Sequence, residues 1–246
     1  MLRTGPRSPR PAPRPPSRAD RLADLLDNIF WHTLTGAHAR FAAGAGDARR
    51  YAAGFSPILG FAIIDRPDFD ALRPYCEPGE RFYCGGWAGA MPPGWTLEAE
   101  SLMCCMRWEG LAPGEDDLPE AVRLGATHAA QALELAKLTN PGPFGLRTIE
   151  LGEYYGCFQD GRLIAMTGER MHAGNLREVS GVCTHPDFQG RGYARRLMVK
   201  VMRRELERGQ VPFLHVMSAN ATARRLYERL GFRVHHEQVV RVVALQ

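Results

Sequence analysis

The stretch Val182-Cys183-Thr184-His185-Pro186-Asp187-Phe188-Gln189-Gly190-Arg191-Gly192-Tyr193-Ala194 decides the reading of this chain. It begins as a β-rich run and passes through a turn holding two glycines. It then runs directly into a segment whose Ala194, Leu197, Met198 and Val201 recur at helical spacing. Glycines let the backbone approach a ligand closely, and the N–H groups at a helix start have no internal partner. Such a turn is an anion site, and a pyrophosphate is the ligand that suits it best. It is not a Walker loop, because no Gly-Lys-Ser/Thr follows, and it lacks the three-glycine Rossmann spacing. Taken alone, the two glycines fit a tight strand-to-helix connection equally well.

Working outward, Gly181 reads as a bulge in a strand of about 176–184. Before it lie two strands, about 150–159 and 162–171, joined at Asp160-Gly161, a pair that suits the twist of a hairpin. After it come a helix of about 191–208 stopped by Gly209, a buried strand Val211–Met217, a helix of about 220–230 and a final strand Phe232–Leu245. Strand, helix, strand over 176–217 predicts a parallel pair with a right-handed crossover, while the Asp-Gly hairpin predicts antiparallel neighbours. The sheet is therefore expected to be mixed and the fold α/β.

Further upstream, Leu97–Trp108 reads as a strand. A helix is expected from about Leu118 to Leu138, capped by Asp117 with Glu120, striped by Val122, Ala126, Ala129, Leu133 and Ala136, and stopped by Asn140-Pro141-Gly142-Pro143. Residues 19–95 offer a helix carrying Leu22, Leu25, Leu26, Ile29 and Phe30, then strand-like runs near 58–64 and 81–88, and no motif tied to chemistry.

Composition narrows the function classes. The chain has 246 residues, 45% hydrophobic and 24% charged, as expected of a soluble globular protein. No run approaches the roughly 18 apolar residues of a membrane helix, and residues 1–20 lack the apolar core of a secretory signal, so a cytoplasmic protein without a membrane partner is expected. The formal charge of +4 is carried by one end. Residues 1–18 hold five arginines and no acid, which leaves 26 basic against 27 acidic residues, a body at −1 that argues against a nucleic-acid partner. The same eighteen residues are rich in proline and poor in large apolar side chains, and read as a disordered extension. Six cysteines form no CxxC pair, so reduced thiols and no metal are expected. Cys104 and Cys105 should point to opposite faces of a strand, and His235 and His236 should fail as paired ligands for the same reason.

Two motifs carry a family resemblance. Gln189, Gly192 and Ala194 match the Arg/Gln-x-x-Gly-x-Gly/Ala pyrophosphate loop of the GNAT superfamily of acyl-CoA-dependent N-acetyltransferases. Asn220, Ala223, Tyr227, Gly231 and Phe232 resemble its later Asn-x-x-Ala-x-x-x-Tyr-x-x-x-Gly-Phe pattern. The resemblance covers about 97–246 and implies a GNAT-like, mostly antiparallel sheet flanked by helices. Residues 19–96 more distantly resemble the degenerate first half of glycine N-acyltransferase-type members, a smaller α/β half without the CoA loop.

The resemblance implies acetyl-CoA as co-substrate and a primary amine as acceptor, with transfer by direct attack in a ternary complex. A non-catalytic acyl-CoA sensor is the other reading. Val182, Cys183 and Thr184 would meet the pantetheine through their backbone, the Val182 N–H would face the oxyanion, and Gln189, Gly190, Arg191, Gly192, Tyr193 and Ala194 would hold the pyrophosphate. Asn220 would bond the pantetheine, cap its helix, or do both. An alkylammonium with a pKa near about 10.4 must lose a proton before it attacks. Glu178, eleven residues before Gln189 as in the histone-acetylating branch, is the candidate base, with Glu169 in reserve and an ion-paired strand carboxylate as the plainer role. Tyr227 would protonate the leaving thiolate, or else serve only as a core aromatic. Cys183 and His185 share a strand face and would allow a covalent cycle, but nothing in the sequence orients the histidine. The acceptor wall is expected from segments such as 118–157; the acceptor itself and the oligomeric state, a dimer being one option, are left open.

Overall fold

A computed structural model describes residues 17–114 and 118–246. The tail through residue 16 and the expected cap at Asp117 lie outside the described residues. In chain order the elements are α1 (Arg18–Asp27), α2 (Ile29–Thr35), β1 (Ala42–Ala43), β2 (Ala48–Tyr51), β3 (Leu59–Phe61), β4 (Arg81–Gly85), β5 (Trp95–Trp108) and β6 (Val122–Arg123). They continue with α3 (Ala129–Thr139), β7 (Tyr154–Gln159), β8 (Arg162–Ala173), β9 (Leu176–Thr184), α4 (Tyr193–Glu207), β10 (Val211–Met217), α5 (Ala221–Arg229) and β11 (Phe232–Leu245). Eight strands form one sheet in the order β4-β11-β5-β10-β9-β8-β7-β6, and β1, β2 and β3 form a small second one. Every neighbouring pair in the large sheet is antiparallel except β9 and β10, so the sheet is mixed as expected.

Alternation along the central strands divides the core into two layers. Cys104 and Met106 of β5 join Leu214 and Val216 of β10 under α4 and α5. Met103 and Cys105 join Phe213 under α1 and α2. The adjacent cysteines thus face opposite ways. None of the described helices is long and apolar enough to cross a membrane.

Local chemistry fixes the boundaries. Ser17 and Asp20 form a reciprocal capping box that starts α1. Asn28 then breaks the single helix expected here into α1 and α2, and its side-chain amide donates to the Phe61 carbonyl at 2.8 Å. Asp160 and Gly161, at φ 51° and 76°, make the hairpin turn between β7 and β8. Gly181, at φ 62°, lies in a bulge: β8 advances two residues from Met166 to Gly168 while β9 advances three, from Cys183 to Ser180.

Two expectations need correction. The helix placed at Leu118–Leu138 begins only at Ala129, because Val122 and Arg123 pair with β7 and an extended Gly125 interrupts the run. Its buried stripe is Ala132, Leu135 and Ala136, and Val122 is exposed. His235 and His236 do not point apart. Val234 pairs with Met106 and His236 with Cys105, so His235 is an extra residue that cancels the alternation. Both rings turn to Asp27 at the end of α1, at 2.9 and 3.6 Å from its Oδ1. These three side chains offer metal-ligand atoms within 4.8 Å of one another, and here they tie α1 to β11.

Gly168 shows how tightly the bulged hairpin is packed. A Cβ built there would stand 2.2–2.5 Å from three carbons of the Tyr154 ring, which is fully buried. Gly168→Ala is expected to destabilise the fold by about 1–3 kcal/mol through overpacking. Denaturant unfolding checks it, and an unchanged midpoint would show that Tyr154 can move aside.

Candidate active site

The site forms where the parallel pair comes apart. Register runs Val211 with Leu176, Pro212 with Arg177 and Phe213 with Glu178, and no later residue of β9 pairs with β10. The bulge at Gly181 bends β9 at this point. A cavity of about 280 Å³ opens in the gap and takes walls from both faces of the sheet. Ala223 and Tyr227 of α5 line one side, while Phe30 of α2 with Ile58 and Tyr83 line the other. Val182 lies on one edge of the split and His215 on the other.

Three of the twelve residues that the motifs suggested border one cavity, and the Gln189–Ala194 turn is not part of its lining. Val182, Asn220 and Tyr227 all border the cavity. Asn220 accepts a hydrogen bond from the Ala223 N–H at 3.1 Å and so caps α5. Tyr227 is 8% exposed, and burial, reinforced by nearby Cys183, pushes its pKa to about 12, so it stays protonated at neutral pH. The sequence after it explains itself. Gly231, at φ 96°, passes so close to Gly110 that a Cβ would sit 2.7 Å from the Gly110 Cα, and Phe232 behind it packs against the Tyr227 ring.

The turn Gln189–Ala194 leads from the end of β9 into α4. Gly190 and Gly192 adopt φ of 77° and 81°, and a Cβ built on either would meet nothing within 4 Å. Gly192 heads the fifteen-residue α4 without a side-chain cap, and residues 189–192 are exposed, so this helix start lies at the surface. Gln189 ties the turn back to the Thr184 carbonyl at 3.3 Å, and Arg191 stacks over Phe188. The donor set suits an anion as large as a pyrophosphate. Tyr193 and Ala194 are half-buried at the helix start.

Glu178 takes a different place from the one expected of a base. It is 1% exposed and does not line the cavity. Arg170 donates from Nε to Oε2 at 2.8 Å and from Nη2 to Oε1 at 2.7 Å, and the Met171 N–H donates to Oε2 at 3.3 Å. Burial alone would raise its pKa, but the Arg170 charge, the Arg170 bonds and a hydrogen bond from His215 outweigh it and hold the carboxyl at about 2. Glu169 lies apart, in an ion-pair cluster with Arg208 and Arg177. Cys183 is buried, with its thiol pushed to about 12 by that burial. His185 pairs instead with Arg162, at 2.7 Å, so the two do not form a Cys/His unit.

Two features escaped the motif search. His215 carries no motif; the only signal was a polar residue inside an apolar strand. The cavity wall opposite Tyr227 includes residues 30, 58 and 83, and the upstream region contributes Asn140–Pro143. Arg170 and Ser56 both donate to the Pro143 carbonyl and hold that turn over the opening.

Comparisons agree with this geometry. The FR47-like protein family matches residues 154–242. A GNAT-family structure from Novosphingobium aromaticivorans DSM 12444, an acetyltransferase by assignment, superimposes with a TM-score of 0.80 at 35% identity, over 90% of this chain and 98% of that one. A GCN5-related N-acetyltransferase-like protein from Streptococcus suis 89/1591 shares the fold at 14% identity and TM-score 0.58, over 92% and 98% of the two chains. A GCN5-related N-acetyltransferase from Kribbella flavida does so at 15% and 0.55, over 92% and 94%. No curated protein sequence matches the chain.

The Glu178–Arg170 pair has a pH signature. The unfolded carboxyl, near its ordinary 4.5, binds a proton more readily than the folded one at about 2. The pair's contribution is therefore fully present above pH 4.5 and is lost as pH falls toward 2, on the order of 3 kcal/mol in all. Arg170→Met leaves the buried carboxylate without its guanidinium partner and should cost about 3–5 kcal/mol at neutral pH. The gap to wild type should narrow as the pH is lowered through that window. Urea unfolding at several pH values tests this, and a pH-independent gap would refute it.

Proposed function

The chain belongs to the GNAT family, and we propose that it moves an acetyl group from acetyl-CoA to a primary amine by direct attack within a ternary complex. The observation that carries this reading is the single cavity crossing the split sheet, with Tyr227 on one face and Phe30, Ile58 and Tyr83 on the other. When bound, the thioester supplies the activated acyl group. The α4 N-terminus and the Gln189–Ala194 turn hold the pyrophosphate, and the unpaired edge of β9 from Val182 to Thr184 holds the pantetheine. The Val182 N–H faces the developing oxyanion. Tyr227 keeps its proton at neutral pH and donates it to the departing sulfur.

The acceptor enters on the α2 face. Phe30, Ile58, Met103 and Val240 line that side together with Arg170 and His215, and among the described residues no carboxylate lines the cavity. A second ammonium would find no counter-ion there, so the acceptor is an amine on an apolar frame and not a polyamine. Mixing the protein with acetyl-CoA and an amine panel should release free thiol, fastest with aryl-alkyl amines and slowly with diamines. Thiol release with no amine at all of the panel would leave an acyl-CoA-binding module as the reading.

Two substitutions test the halves of the site separately. Gly192→Asp sets a carboxylate against the α4 N-terminus and should abolish measurable CoA binding by calorimetry while the thermal transition is retained; undiminished binding removes the loop assignment. Tyr227→Phe keeps the ring on Phe232 and loses only the proton. Its kcat should fall by about 10²–10⁴ at unchanged CoA affinity. Full turnover by this variant would reduce Tyr227 to a packing residue.

A further inference from the structure

We propose that His215 is the base that takes the proton from the attacking amine, and that Glu178 is the residue that positions it. This rests on the acyl-transfer reading above and names the group that reading lacks. His215 stands on β10 two residues past Phe213, at the point where β9 and β10 part, and its ring borders the cavity. The side chain is 4% exposed. Its Nδ1 lies 2.8 Å from Glu178 Oε1. A carboxylate only accepts, so Nδ1 carries the hydrogen, and in the neutral ring the lone pair is left on Nε2. That Nε2 is buried and has no hydrogen-bond partner. A buried, unpartnered polar atom costs stability, and here it belongs to a group whose other nitrogen is fixed.

The surroundings hold the ring in one orientation. Phe30 and Phe213 pack on it with centroids at 5.5 and 5.8 Å. Glu178 in turn is fixed by two bonds from Arg170, which itself lines the cavity, so the base, its orienting carboxylate and the guanidinium form one connected chain. The carboxylate is too firmly paired to take a proton itself, and it does not reach the cavity.

Proton accounting closes across the sheet. A neutral amine attacks the thioester carbonyl, and His215 Nε2 takes the proton from nitrogen as the N–C bond forms. The C–S bond breaks with its electron pair on sulfur, and the Tyr227 hydroxyl gives that sulfur its proton. The imidazolium releases its proton to solvent, and the phenolate recovers one from it, so amine and thioester become amide and thiol with both residues restored. His215 lies on the α2 side, where the amine enters, and Tyr227 on the α5 side, where sulfur leaves.

Three measurements on the intact protein test this. In ¹⁵N-histidine-labelled wild type, the His215 signal, assigned by its loss in His215→Gln, should show the Nδ1-protonated tautomer. A proton on Nε2 would overturn the assignment. With an accepted amine, His215→Ala should lose about 10²–10⁴ in kcat. Acetyl-CoA affinity and the thermal transition should be retained, and added imidazole should restore part of the rate. A variant that keeps kcat within about threefold while Tyr227→Phe is impaired overturns the base and leaves acyl transfer standing. Wild type inactive with every amine overturns both. Glu178→Gln can donate to Nδ1, so it should populate the Nε2-protonated tautomer and lower kcat with little change in KM. An unmoved tautomer signal with lowered kcat would deny Glu178 the positioning role.

Discussion

Pairing between β9 and β10 ends at Glu178 and Phe213, and the rest of the site depends on that early end. Two parallel strands that continued in register would seal the sheet, and the layers on its two faces would never share a cavity. The extra residue at Gly181 turns β9 away, and a glycine is needed there because φ is positive and the Tyr154 ring lies 2.9 Å from where a Cβ would stand. The opening then exposes strand edge on one side and places consecutive β10 residues, His215 and Val216, on opposite faces of one space.

Holding a sheet open at its centre requires polar groups to be buried, and the chain treats its buried carboxyls in two ways. Glu178 stays charged because Arg170 and His215 satisfy both of its oxygens. Glu205 on α4 is fully buried with neither oxygen bonded, and burial, with the negative charge of Glu169 nearby, raises its pKa well above the ordinary value. Partners hold one carboxyl toward its ionised form, and burial without them pushes the other toward its neutral form. Only the first can orient a neighbouring imidazole.

The sequence revealed most where geometry demands a particular residue. Asp160-Gly161, Gly181, Gly209 and Gly231 all adopt positive φ, and each was readable as punctuation between periodic runs. The β9–α4–β10–α5–β11 order followed from them. The helix expected from Leu118 starts only at Ala129 because Val122 and Arg123 pair with β7 and the extended Gly125 then breaks the apolar stripe. His235 and His236 failed because strand alternation was assumed where a bulge intervenes. Glu178 was found by its offset from Gln189, but an offset places a residue on a strand without saying what faces it. Arg170 and His215 lie on two other strands, and no local pattern announces a contact across three strands.

The N-terminal region carries no chemical motif, yet three of the residues lining the cavity, Phe30, Ile58 and Tyr83, come from it. Phe30 is set against His215 because α2 begins afresh after the Asn28 break, and that break is held by a bond to the Phe61 carbonyl at the end of β3. Ile58 and Tyr83 reach the same space because residue 58 bridges β4, the edge strand on β11. On the proposed reading the Gln189–Ala194 turn and Tyr227 serve the acyl donor, while residues 30, 58 and 83 help to shape the space offered to an acceptor. On that reading, substitutions at these three positions alter which amine fits without touching the helix N-terminus assigned to the donor.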